Sequence, residues 1–481
     1  MEYVIADYEF EIKGRTRPHA LIYNGEFKTG EKIRGQADLD KYISDKTQML
    51  TNQRVLKDNV VITPSVGEQN EDGTFPVTLF ISVEDTWNFI ILPYPKYKSD
   101  SGFDLTVKAR DYNFLGTMNP LRVDLGYIYN EKHQSTFKLE VYSDTPFEAF
   151  GYTWNLRFDN QFWYRSDIEQ PFFYRNVTGL SMELPFRTTT FTFGFEEYIT
   201  LNEENSDGQK AIYGLDFQDG PYMTSRMYTS WKIPTGLTVS RYGELTYTPE
   251  VSATFNHEIS EELHNFRKGP FLGFSHSLGF EKIDWHSNYR DGLSVSLDNT
   301  YTYDIFRLRD DVNPFFITSS ATGTGYFIIS EWFGISTRLK FRHWFCHKPD
   351  YYEEAADIIR GIADRAINAD YMLSLNMDFP FRILLFKPSK WSSLKTKFFD
   401  LEFQISPIID MALYHDPNND VSFNPKNILV AGGGELIIFS DFMRNLYARF
   451  CVSWNLRELV SSKKFPSGND RELSFTIGHF Y

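Results

Sequence analysis

YTWNLRFD, residues 152–159, decides the fold: Tyr152, Trp154, Leu156 and Phe158 fall at every second position, with Thr153, Asn155, Arg157 and Asp159 between them. Period two is the period of a β-strand, whose successive side chains point to opposite faces. One face of this segment suits hydrocarbon, and the other carries an arginine and a carboxylate that need water. The arrangement recurs in Phe137, Leu139 and Val141 against Lys138 and Glu140, in Phe191, Phe193 and Phe195, and in Leu293, Val295 and Leu297. Leu373, Leu375, Met377 and Phe379 repeat it again. A wet inside and a greasy outside, sustained from about residue 100 to the end, predict a transmembrane β-barrel.

Composition agrees with that pattern. The chain has 481 residues, 42% hydrophobic and 17% aromatic, with 44 Phe and 29 Tyr. Such aromatic usage suits girdles at two membrane interfaces. No apolar run approaches the roughly 20 residues of a spanning helix. A soluble sandwich turns its alternate faces toward a second sheet, a poor match to this many Phe-rich strands with so few helices.

The net charge of −15 argues against a nucleic-acid partner, which needs a concentrated basic face. Acidic clusters such as Glu203, Glu204 and Asp207, or Glu353, Glu354 and Asp357, read as solvated loops between strands. Cys346 and Cys451 form no disulfide framework. His343, Cys346 and His347 lack a second ligand pair at metal spacing, so neither a metal nor a cofactor is expected. There is no G-x-S-x-G elbow, H-E-x-x-H helix or phosphate-cradling glycine loop, and no enzyme is expected. No secretory signal precedes Glu2, so the sequence reads as a mature or trimmed form of a longer exported chain.

Residues 1–95 follow a different grammar. Tyr3 to Ile12 predicts a strand ending at Gly14, Pro18 to Asn24 a short helix, and Asp38 to Asn52 an amphipathic helix. Val55 to Thr63 and Val77 to Val83 then predict two more strands around a turn at 70–73. This is a small α+β domain, two helices on a three-stranded sheet with an edge open to an extended peptide. Tyr94 to Gly102, with Pro95, Lys96, Lys98 and Ser99, reads as a linker, and the barrel is placed at residues 100–481. At roughly 24 residues per strand and its connection, the count comes to about sixteen antiparallel strands.

Several local patterns resemble the BamA/TamA superfamily of outer-membrane β-barrel assembly and polypeptide-translocating proteins. VLKDNVVITPSV, residues 55–66, and PVTLFISVEDTW, residues 76–87, are similar to the closing hairpin of a POTRA domain. DYNFLGTMNPLRVDLGY, residues 111–127, resembles the family's first barrel hairpin, with Asn113 and Gly116 in its turn. IIRGIADRAINADYMLSLNMDFPF, residues 358–381, resembles the arginine-glycine motif of a loop folded back into the lumen, Arg360 and Gly361 holding the motif positions. The following strand closes on Asp378 and Pro380, and ISPIIDMALY, residues 405–414, resembles the next lumen-facing strand, with Asp410 as its acid. Leu473, Phe475, Ile477 and Tyr481 fit a C-terminal barrel signal. His479 stands where that signal is usually apolar, Ala412 where a glycine is common, and only one POTRA-like domain is present.

The resemblance implies a membrane all-β fold: a sixteen-stranded antiparallel barrel behind one periplasmic POTRA-like domain, in the bacterial outer membrane or an organelle outer membrane of bacterial origin. It implies an outer-membrane protein assembly factor that folds and inserts β-barrel clients by strand pairing at a weak seam, where Phe103 to Arg110 meets Leu473 to Tyr481. Its partners are then unfolded outer-membrane protein clients, the lipid bilayer, and accessory lipoproteins or chaperones at the POTRA-like domain. A polypeptide-secretion pore of the same superfamily and a receptor-like surface barrel are the alternatives. Independently of resemblance, a loop inside a water-filled barrel loses entropy that a forked guanidinium can offset, so Arg360 is expected on Asp410, with Asp378 as second acceptor.

Overall fold

Alternating sequence becomes paired strand wherever a neighbour can satisfy the backbone, and here nearly every strand has two neighbours. The computed structural model describes residues 1–98, 102–129, 135–166, 171–204, 217–239, 242–258, 270–305, 314–345, 353–354, 358–362, 368–390, 399–416, 420–445, 447–463 and 470–477.

The chain opens with a small mixed unit. It contains β1 (Glu2–Lys13), α1 (Pro18–Asn24), β2 (Lys32–Arg34), α2 (Gln36–Asn52), β3 (Val61–Val66) and β4 (Phe75–Glu84). The sheet order is β2-β1-β4-β3, with β1 and β4 parallel and the other pairs antiparallel. The sheet therefore has four strands, not the expected three, because three-residue β2 is too short to show periodicity. Ile5, Leu21, Leu39, Leu50, Leu79 and Ile81 are fully buried between helices and sheet, an ordinary apolar core.

The large β-region begins with β5 (Phe89–Lys98), β6 (Gly102–Asp111), β7 (Leu121–Tyr129), β8 (Ser135–Ala149), β9 (Tyr152–Arg165) and β10 (Phe172–Phe186). It continues with β11 (Thr189–Glu204), β12 (Phe217–Thr238), β13 (Glu244–Glu258), β14 (Phe271–His286), β15 (Tyr289–Asp304), β16 (Phe315–Ser330) and β17 (Phe333–Phe345). Two-residue β18 (Glu353–Glu354) and β19 (Asn368–Ala369) pair only with each other. Then come β20 (Tyr371–Asp378), β21 (Phe381–Phe386), β22 (Leu401–His415), β23 (Leu429–Ser440), β24 (Tyr447–Asn455), the short helix α3 (Leu456–Ser462) and β25 (Arg471–Ile477). The order is that of a closed barrel, each strand antiparallel to the next and β25 beside β5.

Two expectations are corrected here. Residues 94–102 are not a linker: β5 runs through Lys98 and pairs with β6 from Phe89↔Asp111 to Lys98↔Gly102. The small unit therefore ends near Asp85, ahead of residue 95, and the seam joins β25 to β5, not to Phe103–Arg110. The strand number is also higher than sixteen. Among the described residues nineteen segments lie in the barrel order, and β20 and β21 share one position between β17 and β22, leaving eighteen. Tight two-residue turns shorten the repeat below the assumed length. Phe150 and Gly151, for example, both take positive φ of 56° and 77°, the geometry that suits a twisted hairpin.

Burial in this region is inverted relative to the small unit. Along β22, Gln404, Ser406 and Asp410 are 1% exposed or less, while Ile405 and Ile409 between them are 45% and 39% exposed. Elsewhere Leu156, Leu180, Phe193, Phe195, Met227 and Leu297 are exposed. Glu196 on the opposite face accepts from Arg157 Nη1 at 3.0 Å and Arg226 Nη1 at 2.9 Å.

The small unit docks on the barrel end that carries the short turns. Arg54 donates from Nη1 to the Ser287 carbonyl at 3.1 Å and from Nη2 to Asn288 Oδ1 at 3.1 Å, with its guanidinium 4.1 Å from the Trp285 ring centroid. It also donates to the Arg444 carbonyl, while Arg444 donates back to the Leu56 carbonyl and pairs with Asp58. Burial, followed by the neighbouring Arg444 charge, pushes the Arg54 guanidinium down to about 9, so it stays charged at neutral pH.

Candidate functional site

The most concentrated polar chemistry lies on the inner face of β20, β22 and β23, where residues 358–362 pack. Ile358, Ile359 and Ile362 anchor that short segment in an apolar patch with Met372, Ala412 and Tyr414. Between the isoleucines Arg360 is only 2% exposed. It donates from Nε to Asp410 Oδ2 at 2.8 Å and from Nη2 to Asp410 Oδ1 at 2.7 Å, a two-point fork. Its backbone N–H reaches the same Asp410 Oδ2 at 3.0 Å. Asp378 Oδ1 lies 2.7 Å from Arg360 Nη2 as an ion pair, without the angle of a hydrogen bond.

Two participants carry no signal in the motif. Glu435 on β23 accepts from Arg360 Nη1 at 2.9 Å and also pairs with Arg449 on β24. Arg449 in turn approaches Asp378 at 3.6 Å. Two guanidiniums thus interleave with three carboxylates, all deeply buried. In sequence, Glu435 is a lone acid ahead of the apolar run 436–439, and Arg449 alternates inward with Tyr447 and Cys451. An inward-facing charge opposite a charged neighbouring strand was the readable clue.

Gly361 has φ of 91°, and a Cβ there would sit 2.8 Å from the Trp454 amide nitrogen and 3.0 Å from the Ser453 carbonyl carbon. Its N–H donates to Glu472 Oε2 on β25 at 3.0 Å. The tucked segment is therefore tied to the last strand as well as to β22. Asn376, one residue beyond β20's Leu375, donates from Nδ2 to the Ile358 carbonyl at 2.9 Å.

Asn113 and Gly116 lie in the β6–β7 turn, not the first hairpin of the barrel, since β5 precedes β6. Asn113 is fully buried, and its Nδ2 donates to Thr16 Oγ1 at 2.8 Å and to Asp85 Oδ2 at 3.1 Å. The carbonyl of Gly116 accepts from Arg17 N–H at 3.0 Å, and a Cβ on Gly116 would sit 2.2 Å from the Arg15 carbonyl oxygen. This turn is thus part of the joint with the small unit.

Of the C-terminal residues, Leu473 points outward beside Val452, and Phe475 packs 5.5 Å from Tyr94 of β5 and 4.6 Å from Phe450. Tyr94 Oη–H donates to the Phe475 carbonyl across the seam. Ile477 pairs in register with Ala448, and Tyr481 lies outside the described residues. Among the described residues there is no group of three or more His, Cys, Asp or Glu arranged for a metal.

Against solved structures the whole length finds matches. The chain is similar to BamA from Haemophilus ducreyi lacking POTRA domains 1–3, at 12% identity and a TM-score of 0.41 over 99% of this chain and 84% of that one. It is similar to CdiB from Acinetobacter baumannii at 11% identity and 0.46, over 99% and 73% of the two chains. CdiB from Escherichia coli matches at 10% identity and 0.42, over 99% and 90%. No protein-family model and no curated protein matches the sequence.

Proposed function

We propose that this chain is an outer-membrane β-barrel, with its small domain in the periplasm, that folds and inserts β-barrel clients by strand pairing at the β5/β25 seam. The observation that carries the membrane half is the inverted wall. Exposed Ile405 and Ile409 flanking buried Gln404, Ser406 and Asp410 suit hydrocarbon outside and an aqueous or polar interior. The residue sorting of a soluble protein is the reverse.

The seam is the supporting half. β5 carries Pro93 and Pro95, which bring no N–H to either neighbour, so this strand offers two fewer ladder donors than an ordinary one. Unpaired backbone groups in lipid cost several kcal/mol each, and an incoming client strand relieves that cost. The Arg360 clip holds the interior while the N–H of its neighbour Gly361 donates to Glu472 of β25, which ties the clipped segment to the seam strand. No covalent bond changes, and no catalytic nucleophile is required.

The test is insertion of an unfolded, radiolabelled client barrel into liposomes with and without this protein. Faster acquisition of protease-protected client supports the reading, and equal rates reject it. Single-channel recording addresses the secretion-pore alternative: small, rare conductance that grows when Arg360 is replaced supports the insertase reading, and large, steady conductance supports the pore.

A further inference from the structure

One part of the outer wall breaks its apolar pattern in an ordered way. His276 pairs in register with Asn299, Asn299 with Ser319, Ser319 with His343, His343 with Tyr371, and Tyr371 with His415. These six residues form one continuous row across β14, β15, β16, β17, β20 and β22. They share the face of exposed Phe274, Leu297, Leu339, Phe345 and Ile409, because side chains two apart on a strand point the same way. The row is connected: Ser319 Oγ–H donates to Asn299 Oδ1 at 2.6 Å, and Tyr371 sits 5.2 Å from the His343 ring and 4.8 Å from the His415 ring.

A second row on the same wall shows that this is not the rule. Leu156, Leu180, Phe195, Met227, Ala253 and Leu272 are likewise paired one to the next across β9 to β14, and every member is apolar. If this wall faces lipid, as proposed above, imidazole, amide and hydroxyl groups there lose their water. Polar side chains in that setting are rare and mark function.

We propose that the row from His276 to His415 is a binding track for the phosphate headgroups of membrane lipids. At about 4.8 Å per strand it is roughly 24 Å long. Barrel strands tilt by about 35–45°, so a row perpendicular to them climbs the wall obliquely. His415 ends β22 whereas His276 lies inside β14, so one end opens at the rim and the other lies deeper. The chemistry is matched to an anion: three imidazoles, the Asn299 amide N–H groups and the Tyr371 hydroxyl can donate, the Ser319 hydroxyl being spent on Asn299 Oδ1, and the row itself holds no carboxylate. Asp370, which His415 Nδ1 meets at 2.7 Å, stands beside the rim end only. A headgroup held along this row sits below its normal level and draws the leaflet down locally.

The experiment uses the full chain reconstituted in phosphatidylcholine vesicles, probed with spin-labelled phosphatidic acid and with spin-labelled diacylglycerol, which differ only by the phosphate. The wild type is expected to immobilise the phosphate-bearing label with about three- to ten-fold preference, the equivalent of roughly one net hydrogen bond. The variant His276→Leu/Asn299→Leu/His343→Leu, which places apolar groups on an apolar wall, is expected to insert as well as the wild type and to lose the preference. Unchanged preference in the inserted variant, or none in the inserted wild type, overturns the track and leaves the row to a protein partner. A wild type that alkaline carbonate strips from the vesicles overturns the membrane reading along with it.

Discussion

The small N-terminal unit and the barrel use the same apolar side chains in opposite places. In the small unit Ile5, Leu39 and Leu79 are sealed inside, and charge other than Lys46 and Arg54 lies outside. In the barrel Asp410, Glu435 and Arg360 are sealed inside, and leucine, isoleucine and phenylalanine lie outside. One chain therefore carries two solvent prescriptions, and the switch falls at residues 85–88, between β4 and β5. What differs is not hydrophobicity but which face of each strand has a partner. The small unit hides its apolar side chains, whereas the barrel presents them outward and keeps its charge within.

The sharpest way to break this contrast is in the barrel's buried charge. Arg360→Ala strips Asp410 of its guanidinium fork and leaves Asp378 and Glu435 to Arg449, and removing one partner of a buried pair costs about 3–5 kcal/mol. Urea unfolding in vesicles should show that loss, with residues 358–362 newly open to protease while the strands persist. An unchanged midpoint and unchanged cleavage would remove the clip from the account. In the small unit the matching change is Leu79→Ala, expected to cost about 2–5 kcal/mol by opening a cavity in a water-excluded core. Near-UV circular dichroism of the full chain should report local loosening with the barrel intact.

Next in size is Ile409→Arg on the outer wall, expected to cost about 2–4 kcal/mol if that position lies near the middle of the bilayer. The same substitution on a solvated strand would be close to neutral, so refolding yield into lipid separates the two prescriptions directly. The smallest effect belongs to the joint. Asn113→Ala strips two hydrogen bonds between the β6–β7 turn and the small unit and should cost about 1–3 kcal/mol. It is read as faster trypsin cleavage between the two parts, with each part still folded.

Much of this was legible before any coordinates. Alternation located β9 from residue 152 and β11 around Phe191 to Phe195, because a strand with two unlike solvents writes period two into its sequence. Pro18 to Asn24 is found as the first helix with the expected ends. Arg360 and Asp410 lie together in the structure, as a guanidinium fork and a lone inward carboxylate require. β5 was hidden, since Pro93 and Pro95 beside Lys96, Lys98 and Ser99 read as a linker, whereas the barrel accepts proline inside strands, as at Pro146 of β8 and Pro407 of β22. Glu435 and Arg449 were hidden for another reason: each is a single charge in an apolar stretch, and only the register of β23 on β24, which pairs Glu435 with Cys451 and Ile437 with Arg449, sets them diagonally on one inner face. The row from His276 to His415 takes one residue from each of six strands, so periodicity along one strand carries no information about it.

The proposed membrane placement sets the outer face of β22 against hydrocarbon and keeps its inner face away from it. A single cysteine at Ile409 and another at Gln404, each carrying the same fluorophore in vesicles with brominated acyl chains, tests this directly. Strong bromine quenching at 409, weak at 404, and no access of iodide to 409 is the predicted result. Iodide quenching at 409 equal to that of free dye, with no effect of brominated lipid, would contradict it.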